Sequence, residues 1–251
     1  MEQFRHMSMS SLLPGIGACI FYMASFAAQM MALQQDSSNQ RWNKFALLLA
    51  PPALLLHLLN LSGELFGAAG FDIGLFNALS LFFWIVACIA YLASLRWPMA
   101  TLLLIVYPLA TTALLGALFL HSPFAPLQDL GWGIGLHIAL SLLAYSIFCI
   151  AAAQAAVLGL LIRRLKQHLA HGLFDQLPPL QTMERLLFRL IWLGEGLLLL
   201  AIASGAVFLE DMFAQQLAHK TVLSILAWLV FAVLLWGRHH QGWRGVTAVK
   251  S

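Results

Sequence analysis

The sequence contains very few charged residues for its length. Only 9% of its 251 residues are Asp, Glu, Lys or Arg, whereas 61% are hydrophobic and the mean hydropathy is +0.86. A soluble domain needs a polar surface around its core, and this composition does not supply one. A water-soluble globular protein is therefore excluded. The formal net charge of +3 reflects basic loops and indicates no nucleic-acid partner.

Cysteines and local metal or catalytic motifs are also scarce. Cys19, Cys88 and Cys149 lie in separate apolar stretches and form no CxxC pair, which argues against thiol–disulfide exchange and thiolate metal sites. There is no HExxH sequence, so a zinc site with diagnostic spacing is not indicated. No nucleophile–base set or carboxylate pair stands out either. We therefore expect a protein without enzymatic turnover.

No stretch shows the alternation of apolar and polar residues that membrane β-barrel strands require. Instead, the sequence contains seven apolar runs, each long enough to cross a bilayer as a helix, which takes roughly 17–25 residues. They lie near 12–33, 45–63, 74–95, 99–120, 133–161, 187–208 and 221–237. The sequence predicts an all-α, polytopic membrane protein with about seven transmembrane helices. We expect residues 1–251 to form a single integral membrane domain in contact with the lipid bilayer.

The lysines and arginines are distributed unevenly among the connections between these spans. Cytoplasmic connections of membrane proteins carry an excess of Lys and Arg, and this bias sets the orientation. Of the 13 basic residues, only Arg5 and Lys220 lie at the N-terminus or after spans 2, 4 and 6. The others lie after spans 1, 3, 5 and 7: Arg41, Lys44, Arg96, Arg163, Arg164, Lys166, Arg185, Arg189, Arg238, Arg244 and Lys250. We therefore expect the N-terminus outside and the C-terminus in the cytoplasm.

Histidines inside the apolar runs are candidates for function, because polar side chains in hydrocarbon are costly. His137 lies one turn inside span 5, followed at four-residue steps by Ser141 and Tyr145. His57 lies in the outer half of span 2, with Glu64 further along the same helix. A carboxylate or hydroxyl beside such a ring can fix its tautomer. The alternative for both histidines is a hydrogen bond between helices.

Two more histidines, His121 and His219, fall at the same predicted outer face. Several imidazoles at one face of a helical membrane protein suggest axial ligation of haem iron, with His137 and His57 as the axial pair. Haem is preferred to zinc because it needs only one or two axial imidazoles and an apolar, aromatic slot. Candidates to line that slot are Phe76, Phe82, Phe83, Trp84, Tyr107, Trp132, Trp228 and Phe231. The predicted cofactor is a b-type haem (heme).

Two further features of span 6 are informative. Glu195 lies between two glycines, and we expect it to pair with Arg189 or Arg185, or to hydrogen-bond across helices when protonated. A proton relay is the less favoured interpretation. Ser204 and the glycine after it predict a site where helices pack closely.

The order of several segments resembles a known family. These segments are LHIALSLLAYSIFCIAAAQAAVLGLLIRRLK, LPPLQTMERLLFRLI, SGAVF and HKTVLSILAWLVFAVLLWGRHHQGWRG. They are similar to cytochrome c assembly proteins, in particular to the HemX/YpjD-like branch of the CcsA/CcmC haem-handling superfamily. The resemblance is best over residues 131–245.

The resemblance implies a multi-pass protein of the cell inner (plasma) membrane that binds haem and takes part in haem handling or cytochrome c maturation. It places His137 at a haem-ligating position of the family and His57 at a histidine found in the second span of this branch. It also implies other cytochrome c biogenesis membrane proteins as partners. Relatives generally continue past GWRG into another span. We therefore expect a second ligand beside His137 to come from His57, His121, His219 or another subunit.

Three classes of function remain open at this point. The first is a haem-binding assembly or regulatory protein, which we favour. The second is an electron carrier, in which His57 and His137 hold a b-type haem. The third is a non-haem transporter or structural protein, in which the histidines only form hydrogen bonds. Haem content and its redox spectrum distinguish the three.

Overall fold

The computed structural model describes residues 9–34, 41–67, 70–71, 74–120, 131–167, 177–208 and 218–241. For 9–11, 64–67, 70–71, 218–220 and 241 it describes the backbone only. These residues form helices α1 Met9–Gln34, α2 Arg41–Leu65, α3 Leu75–Arg96, α4 Leu103–Phe119, α5 Trp132–Lys166, α6 Leu180–Phe208 and α7 Ala218–Gln241. A short antiparallel hairpin, β1 Phe66–Gly67 and β2 Gly70–Phe71, follows α2, and a 3₁₀ turn, Ala100–Leu102, leads into α4.

Each predicted span corresponds to one helix. Seven helices of the described residues are long and apolar enough to cross a membrane. Their spans are Leu12–Gln34, Arg41–Gly63, Leu75–Arg96, Ala100–Phe119, Trp132–Lys166, Leu180–Phe208 and Thr221–His240. The prediction of an all-α, polytopic membrane protein is confirmed.

The largest difference from the predicted spans is at the start of α6. The helix begins at Leu180, directly after Pro179, rather than near residue 187. The Pro179 carbonyl accepts hydrogen bonds from the backbone N–H groups of Thr182 and Met183, so this carbonyl already belongs to the first helical turn. As a consequence, Glu195 lies midway along α6 and not close to its cytoplasmic end.

The chain divides into two compact units, Met1–Asp129 and Leu130–Ser251. In the first unit, α1 packs along α2 and α4, and α3 packs against α4 and α2. Buried alanines such as Ala18, Ala50 and Ala90 allow these helices to approach closely. Close contact is most evident at Gly15, where an added Cβ would lie 2.8 Å from a methyl group of Leu118.

In the second unit, α5 packs along α6, and α6 packs against α7. A core of buried residues joins the three helices, with Leu158 on α5, Phe188 on α6 and Leu235 on α7 among its members. Beside this core, the Arg238 guanidinium donates a 2.7 Å hydrogen bond to Glu184 Oε1. Its Cζ also lies 3.6 Å from the centroid of the Phe188 ring. Arg238 therefore joins α7 to α6 by charge and by cation–π contact.

Candidate functional site

His137 is half-buried near the start of α5, and its hydrogen bonds fix the state of its ring. Its Nδ1 lies 2.9 Å from the Ala201 carbonyl oxygen and 3.2 Å from Ser204 Oγ, both on α6. A carbonyl oxygen can only accept a hydrogen bond, so the short Nδ1···O contact requires the proton on Nδ1. The lone pair of the neutral ring is therefore on Nε2. That is the state in which a histidine binds a metal while a backbone carbonyl orients the ring.

The close approach of α5 and α6 brings His137 to these partners. A Cβ on Gly133 would lie 2.5 Å from the Phe208 ring, so α6 could not sit this close with a larger residue there. The Trp132 and Phe208 rings meet edge to face, with 4.7 Å between centroids. Ser204 also donates a 2.8 Å hydrogen bond to the Ala201 carbonyl, which thus accepts from two side chains. The prediction of a close-packing site at Ser204 missed this second role.

The polar residues that follow His137 on α5 do not support its ring. Ser141 is half-buried and forms no hydrogen bond with any described residue. The Tyr145 hydroxyl lies 3.1 Å from Ser224 Oγ on α7. The polar residues of this helix therefore serve two contacts, His137 with α6 and Tyr145 with α7.

His57 lies in the first unit and is fully buried. Its Nδ1 lies 3.1 Å from the Tyr22 hydroxyl on α1, and its Nε2 lies 2.9 Å from Ser80 Oγ on α3. The Tyr22 ring also meets the imidazole edge to face, at 5.8 Å between centroids. Both ring nitrogens are thus in hydrogen bonds. Axial ligation through His57 would require the loss of one of them.

His57 is part of a buried polar group to which all four long helices of the first unit contribute. Its other buried members include Ser25 on α1, Asn60 on α2, Ser80 on α3 and Thr111 on α4. The Ser25 hydroxyl donates to the Ala46 carbonyl at 2.8 Å. Sequence reasoning missed Tyr22 and Ser80 as partners of His57. The available signal was the presence of single polar residues in spans 1 and 3.

The other predicted site residues are less well defined by the structure. His121 lies outside the described residues, as do the side chains of His219 and Glu64. His57 belongs to the first compact unit and His137 to the second, and their pairing as axial ligands stays a prediction.

The aromatic residues predicted to line a haem slot belong to both units. In the second unit, Trp132 lies one turn before His137, and Phe231 stacks on Phe148 with 4.3 Å between centroids. In the first unit, Trp84 donates to the Leu54 carbonyl at 2.9 Å, and Tyr107 lies against Tyr22. Beside His137 itself, the aromatic contact that the structure provides is the Trp132–Phe208 pair.

The prediction that Glu195 pairs with Arg189 or Arg185 is wrong for the described residues. Both carboxyl oxygens of Glu195 are buried and have no hydrogen-bond partner there. Arg185 instead donates to the Gln181 carbonyl and to Thr182 Oγ1, on its own helix.

Comparison with known proteins identifies the family. The family model described as "Cytochrome C assembly protein" matches residues 12–250. Inner membrane protein YpjD of Escherichia coli (strain K12) is 33% identical over 231 residues, covering 91% of this chain and 86% of that protein. Cytochrome c biogenesis protein CcsA of Chlamydomonas reinhardtii is 26% identical over 126 residues, covering 49% and 34%. No solved structure matches. Because the family model matches almost the whole chain, the protein belongs to the cytochrome c assembly protein family, as its sequence segments predicted.

Proposed function

We propose that this protein is a multi-pass inner-membrane protein that binds haem and takes part in haem handling or cytochrome c maturation, without catalytic turnover of its own. The family membership supports a role in cytochrome c assembly. The relative named an inner membrane protein supports the location. The observation that carries the haem proposal is the 2.9 Å contact between His137 Nδ1 and the Ala201 carbonyl, because it leaves the Nε2 lone pair available.

The residues around His137 fit a haem ligand in three respects. Nε2 is the ligating atom, and the hydrogen bonds of His137 with described residues are made through Nδ1 alone. The Ala201 carbonyl and Ser204 restrict rotation of the ring. Trp132 and Phe208 provide aromatic surface one turn away. Bound haem would supply a redox-active iron with an open axial position for an imidazole.

His57 as a second axial ligand is a separate proposal. It is supported by the family resemblance and by the place of His57 in span 2. Because both of its nitrogens are hydrogen-bonded, ligation would exchange the contact with Tyr22 or Ser80 for a bond to iron. Such an exchange gives weak and reversible ligation, which suits a protein that passes haem on. His121 and His219 remain further proposed ligands.

Haem titration of the detergent-purified protein tests the proposal. We expect added haemin to produce a Soret band, with α and β bands after reduction, and His137→Ala to lose them. His240→Ala is the matched control, because this exposed histidine lies at the far end of α7 beside Trp236. His137→Ala protein that folds and binds haemin with wild-type stoichiometry would reject the assignment.

The same spectra separate the other classes of function. A tightly held low-spin haem that copurifies and cycles between oxidation states indicates an electron carrier. No haem binding by the folded wild type indicates a transporter or structural protein. A role in cytochrome c maturation is tested in cells that lack the gene, where the wild type should restore holocytochrome c and His137→Ala should not.

A further inference from the structure

Glu195 is a carboxyl group in the middle of a transmembrane helix. It lies midway along α6, which spans Leu180–Phe208. At a rise of 1.5 Å per residue, roughly 20 Å of helix extends on either side of it. Its residue surface is only 7% exposed, so the group points into the protein and cannot reach water at a membrane surface. Its position and burial place it where an ionised group is least favoured.

The environment of this carboxyl is apolar. Glycines precede and follow it on α6, Gly194 is in close contact with the Phe148 ring of α5, and one turn away lie Ile191 and Leu198. Oε1 and Oε2 accept no hydrogen bond from the part of the chain that the structure describes. The carboxyl therefore has neither solvent nor a described donor to stabilise a negative charge.

The charged and titratable side chains of the helices packed against α6 are accounted for by other contacts or lie at other levels. On α5, Cys149 follows Phe148 directly, His137 binds Ala201, and Tyr145 lies against Ser224. The cations of α5 are in its last turn, about four turns beyond Phe148. On α7, Arg238 pairs with Glu184, and the neighbouring histidines are exposed at the helix end. None of the hydrogen bonds and ion pairs described for these groups involves Glu195.

We propose that Glu195 is a membrane-embedded proton-binding site, at which the side chain holds a proton as the neutral carboxylic acid. An unpaired carboxylate in an apolar interior costs several kcal/mol or more, whereas the neutral acid is far less penalised. With no described cation close to Glu195, a proton is the ligand that removes the charge. The site is independent of haem binding at His137.

A protonated carboxyl in hydrocarbon has a recognisable reactivity. Dicyclohexylcarbodiimide partitions into membranes, and its central carbon accepts the carboxylate oxygen while a carbodiimide nitrogen takes the acid proton. The O-acylisourea then rearranges by an oxygen-to-nitrogen acyl shift to a stable N-acylurea. The whole reagent is added and nothing leaves, so the product is a peptide heavier by one carbodiimide. No oxidant or second reactant is needed.

The test is labelling of the full-length protein in membranes, followed by peptide mass spectrometry. We expect dicyclohexylcarbodiimide to modify Glu195, and Glu195→Gln to abolish that adduct. Glu184 is the internal control, because an ion-paired carboxylate at the start of α6 should react with a water-soluble carbodiimide and not with the hydrophobic one. Labelling of Glu195 by the water-soluble reagent alone, or by neither reagent, would overturn the proposal.

An infrared spectrum provides a second, non-covalent measurement. The difference spectrum between the wild type and Glu195→Gln should contain the carbonyl stretch of a protonated carboxylic acid, shifted downward in heavy water. Gln has nearly the same shape and no charge, so the variant should fold and bind haemin as the wild type does. A difference spectrum with carboxylate bands instead would show an ionised Glu195 and contradict the proposal.

Discussion

His137 and His57 both lie on apolar helices, yet their hydrogen bonds leave the two rings able to do different things. One nitrogen of His137 is held by a carbonyl, and the other keeps its lone pair. Both nitrogens of His57 face hydroxyl groups, which can donate or accept as the tautomer requires. His137 is therefore prepared for a ligand, whereas His57 is prepared to hold three helices together.

Ser204 should affect haem affinity without contacting haem. Ser204→Ala removes the 3.2 Å contact to His137 Nδ1 and leaves the Ala201 carbonyl in place. Loss of a group that orients a ligating histidine typically lowers metal affinity by about 10–100-fold, and we expect roughly tenfold because one partner remains. Haemin titration of the purified variant measures the change. Ser141→Ala, one turn after His137, is the control and should bind as the wild type; equal losses in both would refute a specific role for Ser204.

Removing either partner of His57 should destabilise the first unit. Tyr22→Phe and Ser80→Ala each leave one buried nitrogen without its hydroxyl, which costs about 1–3 kcal/mol. Thermal unfolding in detergent measures the loss. Thr112→Ala is the matched control, since this exposed hydroxyl only donates to the Pro108 carbonyl of its own helix.

The same two variants separate the roles proposed for His57. If His57 only joins helices, both variants lower stability and leave haem affinity unchanged. If His57 ligates iron, freeing one of its nitrogens should strengthen haem binding despite the lower stability. A haemin titration beside the unfolding measurement distinguishes the two.

At the scale of elements, glycines set the distance between α5 and α6. Gly133 faces Phe208 near His137, and Gly194 faces Phe148 eleven residues further along α5. Both contacts place an aromatic ring against bare backbone, which is how transmembrane helices approach closely. The hydrogen bond from His137 to a carbonyl of α6 depends on this approach, because a backbone acceptor is reached only when helices nearly touch.

A pair of neighbouring glycines on α6 tests this packing. A Cβ on Gly194 would lie 2.9 Å from the Phe148 ring, whereas a Cβ on Gly196 would meet nothing within 4 Å. We expect Gly194→Ala to lower stability by about 1–3 kcal/mol through overpacking. Gly196→Ala should be neutral or slightly stabilising, because alanine favours the helix. Thermal unfolding of both variants is the measurement, and Phe148→Leu should restore part of the loss in Gly194→Ala. Equal effects of the two substitutions would contradict the packing argument.

At the scale of the whole molecule, the sequence was informative about helices and much less so about their contacts. The spans were predictable because apolar length alone specifies a membrane helix. The start of α6 was missed because Glu184, Arg185 and Arg189 resemble a polar connection, although a helix can continue beyond the bilayer. The partner of His137 was missed because a backbone carbonyl carries no residue signature. Which carbonyl it is depends on the register of α6 against α5, and that register follows from close contacts such as Gly133 with Phe208.

The orientation of the seven spans is the prediction that applies to the molecule as a whole. An odd number of crossings puts the termini on opposite sides, and the bias of lysine and arginine puts the C-terminus in the cytoplasm. We expect a green fluorescent protein fused to the C-terminus to fluoresce and an alkaline phosphatase fused there to be inactive, since each reporter is active on one side only. The same reporters fused at the N-terminus should behave in the opposite way. This orientation also places the His137 end of α5 at the outer face and its Arg163–Arg164 end inside, so a haem held by His137 would lie toward the outer leaflet. An active phosphatase at the C-terminus would invert that assignment and put His137 on the cytoplasmic side.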